Sequence, residues 1–168
     1  LRLNQLQWIG SHNSYKPGIE PALWNLISAR DSAKAAALQY GHISLPDQLN
    51  LGLRNLELDV VHDPLGGRYA NPLGLAMVRK AGGTPQPYDV EGNLKKPGLK
   101  VFHVQDIDFR SHHLLFVDCL RELKLWSNNH PHHLPIVITI NAKDSDAEGL
   151  QKMLPFTHDA LDSIDLEI

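Results

Sequence analysis

The chain has 168 residues, sixteen Lys and Arg against nineteen Asp and Glu, a formal net charge of −3, and 42% hydrophobic residues. A chain of this size and composition can bury one core and is not intrinsically disordered. Without a basic excess it offers no electrostatic footprint for nucleic acid, and no apolar run nears the roughly 18 residues that span a bilayer. One cysteine, Cys119, excludes an internal disulfide framework, and ten histidines are the compositional oddity that points to chemistry near neutral pH.

In chain order, Gln5 to Ile9 is a short strand ending at Gly10 and delivering Ser11, His12, Asn13, Ser14 and Tyr15 into a loop. From Glu20 to about Tyr40 the pattern is helical: Pro21 suits a first turn, Leu23, Leu26 and Ile27 share a face, and Ala33 to Leu38 favours helix by propensity. A short helix is expected near Asp47 to Leu51, then a strand over Asn55 to Val61. Residues 62 to 98 hold seven of the twelve glycines and five of the eleven prolines, which predicts a long ordered loop rather than a helix. Lys100 to Asp106 reads as a third strand and Pro135 to Asn141 as a fourth. Between them Ser111 is placed to cap a helix carrying Phe116, Leu120, Leu123 and Trp126 on one face and ending near Asn128 to Pro131. A last helix is expected over Ala147 to Leu154. Strands alternating with helices imply a parallel sheet in an α/β fold.

The chemistry-bearing residues gather at strand ends. In Asn55 to Val61 the period of two puts Leu56, Leu58 and Val60 on one face and Glu57 with Asp59 on the other. Two carboxylates on a covered face need a cation or a shared proton, so the pair is either a hard-metal site or a coupled acid/base pair. His103 stands near the end of the third expected strand. Asn141 ends the fourth, with Lys143 on the same side. Four consecutive strands thus end in His12/Asn13, Glu57/Asp59, His103 and Asn141, and in parallel α/β folds ligands bind at the carboxyl ends of strands. Two imidazoles around an oxygen-rich cluster suit phosphodiester cleavage, one as base and the other as acid, beside a calcium or magnesium ion.

The runs Gly10-Ser11-His12-Asn13-Ser14-Tyr15, Leu56-Glu57-Leu58-Asp59, Val101-Phe102-His103-Val104-Gln105-Asp106 and Leu134-Pro135-Ile136-Val137-Ile138, with the helix Asp118 to Leu123, resemble the bacterial calcium-dependent phosphoinositide-specific phospholipase C family. The resemblance covers nearly the whole chain in order. It implies a TIM-type (β/α) barrel, with His12 and His103 catalytic and Asn13, Glu57 and Asp59 as calcium ligands. In that scheme His12 takes the proton of the inositol 2-hydroxyl and His103 protonates the diacylglycerol oxygen. The resemblance further implies an inositol phospholipid substrate at a membrane surface and a secreted or periplasmic enzyme.

Two departures stand out. Asn141 occupies the place of an expected glutamate ligand, so its amide oxygen brings one negative charge fewer to calcium. The chain also shows about four strand-helix units where a closed barrel takes about 250 residues, so it is expected to be the N-terminal half of a longer catalytic domain. Lys143 and Arg54 are the nearby basic candidates for substrate binding. The remaining alternatives are a catalytically silent phosphoinositide- or calcium-binding module, and a glycerophosphodiester or sphingolipid phosphodiesterase. His103 lies 44 positions beyond Asp59, which disfavours the latter. His130, His132 and His133 read as loop residues, His112 and His113 as exposed residues of a first helical turn, and His42 as a candidate support for the site.

Overall fold

A computed structural model describes residues 2–168. Its elements in chain order are β1 (Gly10–Ser11), α1 (Pro21–Arg30), α2 (Ser32–Leu38), α3 (Leu45–Asn50), β2 (Asn55–Val60), α4 (Leu73–Lys80), α5 (Phe116–Asn129), β3 (Val137–Ala142) and α6 (His158–Glu167). The three strands form one parallel sheet in chain order, with Gly10 opposite Asn55, and Asp59 opposite Asn141.

One sheet face is dry. Leu56, Leu58 and Val60 are fully buried against Phe116, Cys119, Leu123 and Trp126 of α5 and Leu45 and Leu49 of α3, with Ile136, Ile138 and Ile140 completing the layer. At about 1.5–3 kcal/mol for each large side chain buried, this layer fixes the register of β2, since a one-residue slip would turn Glu57 and Asp59 into it. A second cluster joins Leu23 and Ile27 of α1 to Ala35, Val78, Ile107 and Phe109. The other sheet face, bearing Glu57 and Thr139, stays open. The described strands therefore make an open α/β sheet with helices on one side; three strands do not define a barrel or half of one.

Several sequence expectations need correction. The helix expected over 20–40 is two helices, because Asp31 leaves helical geometry and its carboxylate caps α2 by accepting from the Lys34 amide at 2.9 Å. The Gly/Pro-dense stretch contains α4, whose first turn is held from a distance: Asp106 Oδ1 accepts from the Leu73 amide and Asp106 carbonyl oxygen from the Gly74 amide, both at 2.8 Å. Lys100 to Asp106 is not a strand of the sheet. This segment makes only isolated antiparallel bridges, Lys100 with Val61 and Leu115 and Val104 with Asp108. Ser111 does not cap α5, whose N-cap position is Leu115. Residues 147–154 are not helical; Gly149 takes a φ of +76° there, and the last helix is α6, capped by Thr157.

Candidate functional site

The site grows from the turn that follows β1. Asn13 adopts a φ of +52°, a left-handed conformation that asparagine tolerates better than most residues. The turn is tied to β2: the Ser14 amide donates to Glu57 carbonyl oxygen at 3.0 Å, the Glu57 amide to Ser14 Oγ at 2.8 Å, and the Asn13 amide to Glu57 Oε2 at 3.0 Å. His12 is thereby exposed, its side chain 72% accessible and its Nε2 3.6 Å from Glu57 Oε2. His42 braces the same turn by donating from Nε2 to His12 carbonyl oxygen at 2.8 Å. His112 in turn donates from Nε2 to His42 carbonyl oxygen, also at 2.8 Å. His112 thus lies ahead of α5 as a half-buried strut, not in an exposed helical turn.

The two carboxylates of β2 have different surroundings. Glu57 lines an open groove with Gly10, Ser11, His12, Asn55 and Thr139. Asp59 is 1% exposed and fully partnered: Asn141 Nδ2 donates to Oδ1 at 2.8 Å and the Lys143 ammonium stands 3.0 Å from Oδ2. Lys143 also donates to His103 carbonyl oxygen, so one lysine joins β3, β2 and the His103 segment. Tyr15, buried beside Asp59, has its phenol pushed well above the ordinary range, first by burial and then by that negative charge. Its hydroxyl donates to Asn13 Oδ1 at 3.2 Å.

His103 is anchored by charge. Its Nδ1 donates to Asp108 Oδ2 at 2.7 Å, which leaves Nε2 free to take or give a proton. The same carboxylate oxygen lies 3.3 Å from Lys16 Nζ, a fully buried ammonium that also donates to Leu38 and Tyr40 carbonyl oxygens at 3.1 and 2.5 Å. Burial lowers the Lys16 pKa while Asp108 opposes that shift.

Tyr40 meets both histidines. Its ring stacks on His12 at 6.1 Å between centroids and meets His103 edge-on at 6.3 Å. The structure therefore brings His12, His103, Asn13 and Glu57 around one aromatic ring, with Asp59, Asn141 and Lys143 linked behind them. Arg54 is not part of this group. It precedes β2 at the amino end, donates to Leu49 and Leu53 carbonyl oxygens and lies 5.0 Å from the Trp126 ring. The His-rich loop is engaged in its own packing: His130 stacks on Trp126 at 4.1 Å, and the Ser127 hydroxyl meets His133 Nε2 at 2.7 Å. Tyr40, Lys16 and Asp108 carry no local sequence signal, because each acts through partners more than four residues away.

Histidines that can exchange protons, set beside oxygen donors at the carboxyl ends of parallel strands, define a class of site suited to acid–base attack on an ester of a hard anion. The family model for calcium-dependent phosphoinositide phospholipase C matches residues 1–168, and the chain belongs to that family. No curated protein and no solved structure matches it. Among the described residues no helix is long and apolar enough to cross a membrane, and no group of three or more His, Cys, Asp or Glu is disposed to hold a metal by itself.

Proposed function

We propose that this chain carries the catalytic residues of a calcium-dependent phosphodiesterase that cleaves inositol phospholipid to diacylglycerol and an inositol phosphate, acting outside the cytoplasm as the resemblance implies. The observation that carries the reading is that His12 and His103 both meet the Tyr40 ring, with His12 lining a groove beside Glu57. The inositol 2-hydroxyl attacks phosphorus, a P–O bond to that oxygen forms, and the P–O bond to diacylglycerol breaks. His12 takes the hydroxyl proton, and His103 gives one to the departing diacylglycerol oxygen. Attack by a hydroxyl of the same molecule gains the orientation advantage of an intramolecular reaction, and the first product is a cyclic phosphate.

The donors suit a hard cation in kind, being all oxygen: Asn13, Glu57, Asp59 and Asn141 would hold calcium. When bound, calcium neutralises charge developing on the phosphoryl oxygens. The pairing of Asp59 with Lys143 and Asn141 leaves Glu57 as the carboxylate facing the groove, which supports weak calcium affinity. Lys143, held between Asp59 and the His103 carbonyl, supports a bracing role more than a substrate contact.

The test is phosphorus NMR of phosphatidylinositol micelles incubated with the chain, with calcium and with chelator, and with His12→Ala as control. A cyclic phosphate signal that needs both calcium and His12 is expected. Absence of product from the unaltered chain under both conditions would overturn the reading for this chain.

A further inference from the structure

The two histidines are held through the same ring nitrogen by different chemistry. We propose that Tyr40 is the positioning residue of His12, anchoring its Nδ1 with a neutral hydroxyl as Asp108 anchors Nδ1 of His103 with a carboxylate.

The Tyr40 hydroxyl lies 3.4 Å from His12 Nδ1 and is itself fixed, accepting from Asn13 Nδ2 at 2.5 Å. The rest of the residue is clamped as well. Lys16 Nζ sits 4.5 Å over the ring and donates to the backbone carbonyl of Tyr40, and His42 meets the ring edge-on at 6.0 Å. His12, by contrast, has a largely solvent-exposed imidazole with few contacts of its own. It is flanked by the stacked Tyr40 ring, the hydroxyl at Nδ1 and Glu57 Oε2 3.6 Å from Nε2. Burial pushes the Tyr40 pKa upward, so the anchor stays a neutral phenol at neutral pH.

The two imidazoles differ in what meets Nδ1, a carboxylate for His103 and a phenol for His12, while Glu57 Oε2 lies 3.6 Å from His12 Nε2. The turnover arm of the test below rests on the phosphodiesterase reading, while the anchoring of His12 does not.

The experiment has an arm that needs no activity. Long-range proton–nitrogen NMR at one neutral pH reads the ring nitrogens of His12 and His103 in the chain and in Tyr40→Phe, which keeps the ring and removes the hydroxyl. A shift of the His12 Nδ1 signal with His103 unmoved is expected, and unchanged His12 signals would overturn the anchor. In the micelle assay Tyr40→Phe should lower kcat about 10-fold, as expected for about 1.4 kcal/mol from one lost hydrogen bond, with KM within about two-fold. Tyr40→Leu, which also removes the stacked ring, should fall further. A shifted His12 signal with undiminished kcat would show that the hydroxyl does not position His12 for the reaction. A shifted signal in a chain that makes no product would support the anchor and overturn the phosphodiesterase reading.

Discussion

His103 and His12 both meet the Tyr40 ring, yet they are supported differently. His103 belongs to a buried electrostatic chain in which Asp108, 2% exposed, lies between the imidazole and the fully buried Lys16. His12 stands on an exposed turn braced by hydrogen bonds from His42, from the Ser14–Glu57 pairing and from the Asn13 amide to the partly exposed Glu57 carboxylate, with no buried charge behind it. Charge burial makes the first arrangement stiff and costly to disturb, since removing one partner strands the other in a low-dielectric interior. The second can be altered with little cost to the fold. Damage on the His103 side should therefore read out in stability and turnover together, and damage on the His12 side in turnover alone.

The largest expected effect is that of His103→Ala, which should lower kcat about 1000-fold, within the span of a lost general acid. Phosphorus NMR rates against the unaltered chain check it, and a loss under ten-fold would remove His103 from the reaction. Next, Lys16→Met should destabilise the chain by about 3–5 kcal/mol by leaving Asp108 buried without its ammonium. Thermal and urea denaturation measure this, and an unchanged midpoint would contradict the electrostatic chain. Glu57→Gln should abolish calcium-stimulated turnover while the melting temperature changes by only a few degrees, because that carboxylate faces the groove. Calcium titration of both forms tests the claim, and retained stimulation would rule Glu57 out as a ligand. The smallest effect sharpens the contrast from the other direction. Asn141→Glu adds a carboxylate beside Asp59 and should tighten calcium binding about 10-fold, the scale of roughly 1.4 kcal/mol, as read by isothermal calorimetry.

Much of the site was legible because its signals are local. The period of two in Leu56 to Val60 separates the buried leucines from Glu57 and Asp59, and β2 follows that division. His12 and Asn13 do follow a strand, but that strand is Gly10–Ser11 and not Gln5 to Ile9, so Gly10 opens it instead of stopping it; His42 braces the turn. What escaped was long-range. Tyr40 closes an alanine-rich helical run and reads as its end, yet it folds back 28 residues onto His12. Lys100 to Asp106 has the alternation of a strand, but its backbone partners are distant or local bridges, Val61 and Leu115 for Lys100 and Asp108 for Val104, which alternation does not reveal. Helix α4 was hidden among glycines and prolines because its first turn is completed by Asp106, 33 residues away.

That same Asp106 has a bearing on how the chain reaches its folded state. It holds a φ of +69°, and its two carboxylate oxygens and its carbonyl receive amides from Leu73, Gln151 and Gly74. One residue thus closes two loops, of 33 and 45 residues, whose ordering entropy must be overcome before these bonds form. The segments around α4 and residue 150 thus share one anchor, so loss of the Asp106 carboxylate would release both at once.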